Sequence, residues 1–388
     1  MKSILVQTNS LAFKYGGGST GLISICQALV KNKNFKISLI SYSNELTRED
    51  QHLIKRELIN VNNIYLKELR FRIPKLKSFI KLIKEIRNNQ IIYIHSLSSV
   101  FSIITFLISK IFDKKTIFRP HGSVMRVYTN KFSLIKHILV FIQFSIFKYA
   151  DAIIVSSEIE LKELKEYDFL NLINYEKVRI IHESLGEKFN IGIEIKDFPE
   201  REIDFLYVGR INSEKGIFEF LNFFNKIIKN KKITFRKVTK IRICGPCNKT
   251  NQILLDYHLD KLNKFKKLDL KFSGFISKEQ RNSFYNNSKY FFYPTYGDCF
   301  GLSVLEAAYY GCRIISTKNL GIYRLLNKIK ILDLYQRSYK KDLPLFKNIF
   351  DIDGDTQNYS NKNIKKELDK YFGFKIYIQN YNELLNLF

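Results

Sequence analysis

Short β-rich runs alternate with longer amphipathic ones along most of this 388-residue chain, and that alternation predicts parallel sheets joined by crossover helices. In the first half the expected strands are Ser3 to Gln7, Lys36 to Ser41, Ile91 to His95, Thr116 to Arg119 and Ala152 to Ser156. In the second half they are Asp204 to Val208, Lys240 to Cys244, Leu268 to Phe272, Tyr290 to Tyr293 and Arg313 to Ser316. Each set makes a doubly wound α/β domain, and the length exceeds what one hydrophobic core usually serves. Gly186, Gly192 and Pro199 fall in a run of mixed charge without helical period, so the boundaries expected are 1–190, a linker at 191–203, and 204–370.

The formal net charge of +27 calls for an anionic partner. Residues 1–150 hold 24 Lys and Arg against 7 Asp and Glu, a net +17; the remainder holds 40 against 30, a net +10. Nucleic acid, anionic lipid and phosphorylated substrates all suit such a field. In Pro74 to Arg87, Leu76, Phe79, Ile80 and Ile83 fall on one face of a predicted helix. Lys75, Lys77, Lys81, Lys84 and Arg87 ring the rest. That helix reads either as a sheet cover with a solvated basic face or as a surface for anionic headgroups. The start of the chain lacks a secretory pattern, so a cytoplasmic location is expected. Two apolar stretches, Phe101 to Phe112 and Phe132 to Phe147, are interrupted by charge and fall short of the roughly 20 residues a span needs.

Five cysteines make an odd set, for which structural disulfides are not expected. Cys244-Gly245-Pro246-Cys247 spells a dithiol motif. It follows a strand-like run deep in a long chain instead of opening a helix in a small domain, which argues against redox chemistry, and no second pair has zinc-ligand spacing.

Two strand–turn–helix constellations carry the chemistry. In Tyr296-Gly297-Asp298-Cys299-Phe300-Gly301-Leu302-Ser303-Val304-Leu305-Glu306, a helix is expected to open near Ser303. The backbone N–H groups of Leu302 to Val304 would then be free to bind phosphate, with carboxylates at Asp298 and Glu306 flanking them. Ser303-x-x-Glu306 also spells a capping box, which would leave Glu306 a purely helical role. In Val208-Gly209-Arg210-Ile211-Asn212-Ser213-Glu214-Lys215-Gly216, two cations stand at the carboxyl end of a strand, where open α/β sheets bind ligands. Arg210 and Lys215 could there neutralise a diphosphate without a metal.

These motifs resemble those of the retaining glycosyltransferases of family 4, the group 1 transferases of GT-B fold: an acid, seven residues and Glu in a Phe-Gly loop, with Gly-Arg and Glu-Lys-Gly upstream. The resemblance continues in Gly16-Gly17-Gly18, Arg119-Pro120-His121-Gly122, the run from Ala150 to Ser157 and Ser273-Gly274-Phe275-Ile276. It implies two Rossmann-like domains facing a cleft and a helix at 371–388 crossing back to the first. Position by position, it assigns Arg210 and Lys215 to the diphosphate, Glu306 to the ribose, and Asp298 to the donor sugar. Gly301, Leu302 and Ser303 bind the phosphate through backbone, and His121 lies by the transferred sugar. Gly16, Gly17 and Gly18 approach the phosphates, and Gly274, Phe275 and Ile276 border the base. It further implies retention of anomeric configuration, no metal or other cofactor, a nucleotide-sugar donor, and a lipid-linked saccharide acceptor at an anionic membrane surface.

There are departures from the pattern. Asp298 stands where Glu is usual, retracting the carboxylate by one methylene and bearing on sugar identity. Arg313 replaces a Pro, Leu320-Gly321-Ile322 lacks the usual Pro-Glu, and 328–361 does not align. Asp351-Ile352-Asp353-Gly354-Asp355 resembles a metal or calcium loop, but Thr356 and Lys362 stand where calcium would need Gly and Glu, so it reads as a turn. Two rival functions are an NAD-dependent dehydrogenase and a nucleic-acid-binding protein. Gly16-x-Gly18-x-x-Gly21 fits the dinucleotide fingerprint by letter, but no acid ends the second strand near Ser41. Charge alone motivates the nucleic-acid reading, unaccompanied by a recognition motif.

Overall fold

A computed structural model describes residues 2–12, 17–31, 35–69, 72–95, 99–129, 134–168, 170–187, 189, 194–230, 235, 237–351 and 361–388. The chain divides into two compact units, Met1–Phe189 with Tyr371–Phe388, and Asn190–Lys370.

In the first unit, strands β1 (Lys2–Thr8), β2 (Phe35–Tyr42), β3 (Val61–Leu66), β4 (Ile91–His95), β5 (Lys115–Arg119), β6 (Ala152–Val155) and β7 (Val178–Ile180) form one sheet. Its order is β3-β2-β1-β4-β5-β6-β7, with every pairing parallel. Helices on both faces bury alternate residues. Ile4 and Val6, with Ile91 and Tyr93, enter one core, while Leu5, Ile92 and Ile94 enter the other. The last helix, Phe374–Leu385, adds Tyr377, Tyr381, Leu384 and Leu385 to the first of these cores.

The second unit has β8 (Ile203–Val208), β9 (Thr239–Cys244), β10 (Leu268–Phe272), β11 (Ser288–Tyr293), β12 (Arg313–Ser316) and β13 (Leu332–Leu334), in the order β10-β9-β8-β11-β12-β13, again all parallel. In each sheet the order reverses beside the first strand, between β1 and β4 and between β8 and β11. Such a reversal splits the flanking loops apart and leaves a crevice at the carboxyl ends of the strands.

Ten of these strands coincide with the expected runs to within two residues at either end. The three without a sequence signal, β3, β7 and β13, all lie at sheet edges. β3 carries Asn62 and Asn63, and β7 and β13 have three residues each, so none shows the continuous apolar run of a strand buried on both faces.

Two expectations change. The predicted linker 191–203 is docked chain in its described part: the buried Arg201 guanidinium donates to the carbonyls of Lys196, Ser288 and Tyr310, inside the second unit. The basic helix spans Leu76–Asn88, and its buried row is Ser78, Leu82 and Ile86. Leu76 and Ile80 are 75% and 60% exposed, so they stand out among the lysines instead of facing the core. The row that packs is set by the i, i+4, i+8 spacing, with Phe79 and Ile83 only partly buried beside it.

The unaligned region supplies a covering helix, Tyr339–Asp351, whose Phe346 lies 4.1 Å from Phe223 between ring centroids. Of the acidic run that follows, 352–360 lies outside the described residues, as does Gly16. Among the described residues no helix is long and apolar enough to cross a membrane.

Candidate functional site

In the second unit the loops after β8 and β11 are brought together by a close backbone approach. Asn212 caps a short turn, Ser213–Lys215, by accepting from Lys215 N at 3.1 Å. Gly216 then adopts φ +79°, and a Cβ there would sit 2.0 Å from the Pro294 carbonyl oxygen. Only glycine fits, on both counts. Tyr296 N and Thr295 Oγ1 both donate to the Glu214 carbonyl, at 2.9 and 3.1 Å, which fastens one loop to the other.

The consequence is an ion pair. Lys215 Nζ lies 2.6 Å from Asp298 Oδ2, with the two side chains 9% and 13% exposed. Asp298 also accepts from Tyr293 Oη at 3.0 Å and from Phe300 N at 3.3 Å. Burial acts to raise its carboxyl, but the Lys215 charge and these hydrogen bonds outweigh it and hold the group below the usual carboxylate range. Lys215 is therefore not a bare cation awaiting phosphate, as the sequence suggests; it already carries a counter-charge. Arg210, on the same loop, is exposed.

The helix Leu302–Tyr309 begins one residue before the expected start, with Gly301 as its N-cap at φ +96°. Leu305 N is bonded to Gly301 O at 3.0 Å, so the N–H groups of Leu302, Ser303 and Val304 precede the first intrahelical bond. This start removes the capping-box reading of Glu306, because Ser303 is already inside the helix. Glu306 is buried, and its carboxylate is engaged elsewhere: Tyr285 Oη donates to Oε2 at 2.8 Å, and Arg281 Nη2 lies 3.1 Å from Oε1.

Past β10, Gly274 accepts from Gly245 N at 2.7 Å, and Phe275 stands exposed beside the half-buried Ile276. A Cβ on Gly245 would meet the Gly209 carbonyl oxygen at 1.8 Å, so the dithiol-like motif serves close loop packing. Burial pushes the Cys244 thiol up to about 12 and raises that of Cys247, the reverse of a reactive pair.

In the first unit His121 follows β5 with φ +50°, and Gly122 continues at +76°. Two successive left-handed residues, one of them not glycine, need support. It comes from Glu160, fully buried, which accepts from Gly122 N at 2.5 Å and from Ser156 N and Oγ at 2.6 and 2.5 Å. Gly17 and Gly18 form the first turn of the helix Gly17–Lys31, and Gly18 lacks the side chain that would stand 3.8 Å from His121 Nε2. Glu183, also fully buried, lies 3.2 Å from His121 Nδ1 and 2.5 Å from Arg119 Nη2. Glu160, Glu183 and Arg281 are absent from the sequence reading. Glu160 sits in a helix first turn where acids are ordinary, and Glu183 follows the edge strand β7.

With this geometry in place, the family matches are informative. Residues 15–184 match the family described as Glycosyltransferase Family 4, and residues 190–330 match Glycosyl transferases group 1. The chain is a glycosyltransferase of the GT-B type.

An uncharacterized 41.2 kDa protein in the cps region of Klebsiella pneumoniae is 24% identical over 249 residues, covering 61% of this chain and 63% of that protein. The match thus spans just under two thirds of that relative's length. HepE of Anabaena, solved in complex with UDP and glucose, superposes with a TM-score of 0.76 at 13% identity, covering 100% of both chains. The lipopolysaccharide outer core galactosyltransferase WaaB, in its apo form, gives 0.65 at 14% identity over 99% of each chain. At these identities the likeness to HepE and WaaB is one of fold.

Proposed function

We propose that the chain transfers a sugar, with retention at the anomeric carbon, from a UDP- or GDP-linked donor to a lipid-linked saccharide acceptor in bacterial surface polysaccharide synthesis. The observation that carries this reading is the Lys215–Asp298 pair at the switch point of the second sheet, beside a helix start capped by Gly301. A diphosphate would take up Lys215, Arg210 and the N–H groups of Leu302 to Val304, while Asp298 would turn to hydroxyls of the donor sugar. In the transfer the bond from the anomeric carbon to the phosphate oxygen breaks. The acceptor oxygen bonds to the same face of that carbon, and its proton passes to the departing phosphate oxygen. The UDP and glucose of HepE, the lipopolysaccharide substrate class of WaaB and the cps region of the K. pneumoniae relative support the donor and the setting.

A thermal-stabilisation screen tests this. A matched UDP- or GDP-sugar at about 100 times its dissociation constant should add about 2.7 kcal/mol of stability. NAD and DNA should add none, and stabilisation by either of them alone would overturn the reading. Donor turnover should survive excess EDTA, because protein cations would meet the leaving charge; abolition by EDTA with rescue by Mg²⁺ or Mn²⁺ would refute metal independence.

The acceptor's lipid places the enzyme on the inner face of the cytoplasmic membrane as a peripheral protein. Support comes from the +17 charge of residues 1–150 and from exposed apolar side chains set among cations, Leu76 and Ile80 on the basic helix. Leu134, Ile135, Ile138, Phe141 and Ile142 are likewise exposed on the helix Leu134–Phe147. Sedimentation with anionic vesicles should fall as salt shortens screening below about 10 Å, and Leu76→Glu with Ile80→Glu should weaken it further. Equal binding to neutral vesicles, or none to either, would refute the membrane location.

A further inference from the structure

The first unit holds a charged network that is fully buried. Arg119 and Glu183 are both fully buried and 2.5 Å apart. Arg119 donates to Tyr381 Oη at 2.7 Å and to the Ile181 carbonyl at 3.2 Å, Tyr381 shares a 3.0 Å hydrogen bond with Tyr93, and Tyr377 Oη lies 3.3 Å from Glu183 Oε2. A buried ion pair of this kind adds little net stability compared with apolar residues of the same volume, so its retention invites a second explanation.

His121 supplies one. The same Glu183 oxygen that pairs with Arg119 lies 3.2 Å from His121 Nδ1, close to it but short of a well-formed hydrogen bond. The ring is bounded on its other sides as well. His95, buried at the end of β4, lies 4.9 Å away between centroids, and the Gly18 and Gly21 positions leave room for Nε2 and Cε1. Burial, with the Arg119 charge nearby, holds the His95 imidazole well below its usual range, so a neutral ring faces His121. Burial would raise the Glu183 carboxyl, but Arg119 and His121 outweigh it and keep it ionised. An ionised carboxylate offers no proton, so it can meet Nδ1 only when that nitrogen carries one.

We propose that Glu183 is the positioning residue of the first unit: its carboxylate, anchored by Arg119, fixes the proton of His121 on Nδ1 and presents Nε2, beside the glycine turn of the first helix, as the acceptor for a hydroxyl of the transferred sugar. This rests on the proposed sugar transfer and on the family resemblance, which sets His121 by the transferred sugar. It adds the group that orients the ring, and it explains why a left-handed backbone at His121 is braced by one buried acid while the ring is braced by another. It also gives Tyr377 and Tyr381 of the last helix a share in the site, through the two members of the pair.

The decisive measurement is ¹⁵N–¹H correlation of histidine side chains in the full chain labelled at its six histidines, with His121→Gln assigning the signal. In the unsubstituted protein the neutral ring of His121 should carry its proton on Nδ1 and leave Nε2 bare. Glu183→Asp keeps a charge for Arg119 but withdraws it from the ring, and should let both nitrogens exchange. A bare Nδ1 with a protonated Nε2 in the unsubstituted protein would overturn the proposal, with no variant needed.

Activity adds a second arm, read as hydrolysis of UDP-glucose and GDP-mannose. Glu183→Asp should slow it about ten- to a hundredfold, the worth of one charge-assisted contact, and cost nothing further in the His121→Gln background. A penalty of the same size in both backgrounds would show that Glu183 acts through the fold alone. A fixed tautomer combined with a silent His121→Gln would leave Glu183 holding the ring but remove His121 from the sugar, which separates failure of the proposed function from failure of this inference.

Discussion

Lys215→Ala is expected to lower sugar transfer about a hundred- to thousandfold, the usual effect of removing one fixed charge from a leaving group. The structure complicates the experiment in a useful way. Lys215 is paired with Asp298 at 2.6 Å, so its removal also leaves a largely buried carboxylate without its counter-ion. Breaking such a pair costs about 3–5 kcal/mol, and the lower end applies here because Tyr293 Oη and Phe300 N still donate to Asp298. A loss of activity alone could therefore mean loss of fold. Combining Lys215→Ala with Asp298→Asn removes the orphan charge and should recover most of the melting temperature. If Lys215 serves the diphosphate, the double variant stays nearly inactive; recovery of both stability and rate would reduce Lys215 to a partner for Asp298. Asp298→Asn alone should slow transfer while the free nucleotide diphosphate still binds, because its proposed partner is the sugar.

The pair also shows where reading a sequence stops. Lys215 and Asp298 are each conspicuous in their loops, after β8 and after β11, and both strands are apolar enough to be placed without a structure. That the two side chains touch depends on the reversal of strand order, which sets β8 beside β11, and on Gly216 fitting under Pro294. Neither is a property of local spacing. The interior strands were legible because burial on both faces demands unbroken apolar runs, whereas β3, β7 and β13 sit at edges where Asn, Arg and Asp are tolerated.

The same limit explains the missing acids and the misplaced face. Glu183 lies 64 residues from Arg119, and Glu160 lies 38 from Gly122, so nothing in either neighbourhood announces its partner. Both are recognisable only once burial is known, as carboxylates that must be satisfied inside the protein. Leu76 and Ile80 mislead for the opposite reason. Their period is correctly helical, but periodicity identifies a stripe, and packing against the sheet selects which edge of the stripe is covered.

Glu306→Gln is expected to weaken donor binding about 10- to 100-fold, because two ribose hydroxyls would exchange a charged acceptor for a neutral amide whose NH₂ cannot accept from them. With Gly301 as the N-cap, helix capping no longer competes as an explanation, and the ion pair with Arg281 takes its place as the rival. That pair has a stability signature of its own. Arg281 is 28% exposed on its side chain, so losing the Glu306 charge should cost about 1 kcal/mol or less, discounted for solvent screening. The melting temperature of the free enzyme should therefore fall slightly, whereas Arg281→Met, which leaves the buried Glu306 carboxylate without its counter-ion, should lower it more. Nucleotide affinity, measured by calorimetry with the diphosphate and with the matching nucleotide sugar, then discriminates. If Glu306 holds the ribose, Glu306→Gln loses affinity for both ligands while Arg281→Met, which leaves the carboxylate and its Tyr285 hydrogen bond in place, loses much less. If Glu306 serves only to neutralise Arg281, both variants should leave affinity for both ligands unchanged, and the assignment of the ribose to Glu306 would fall.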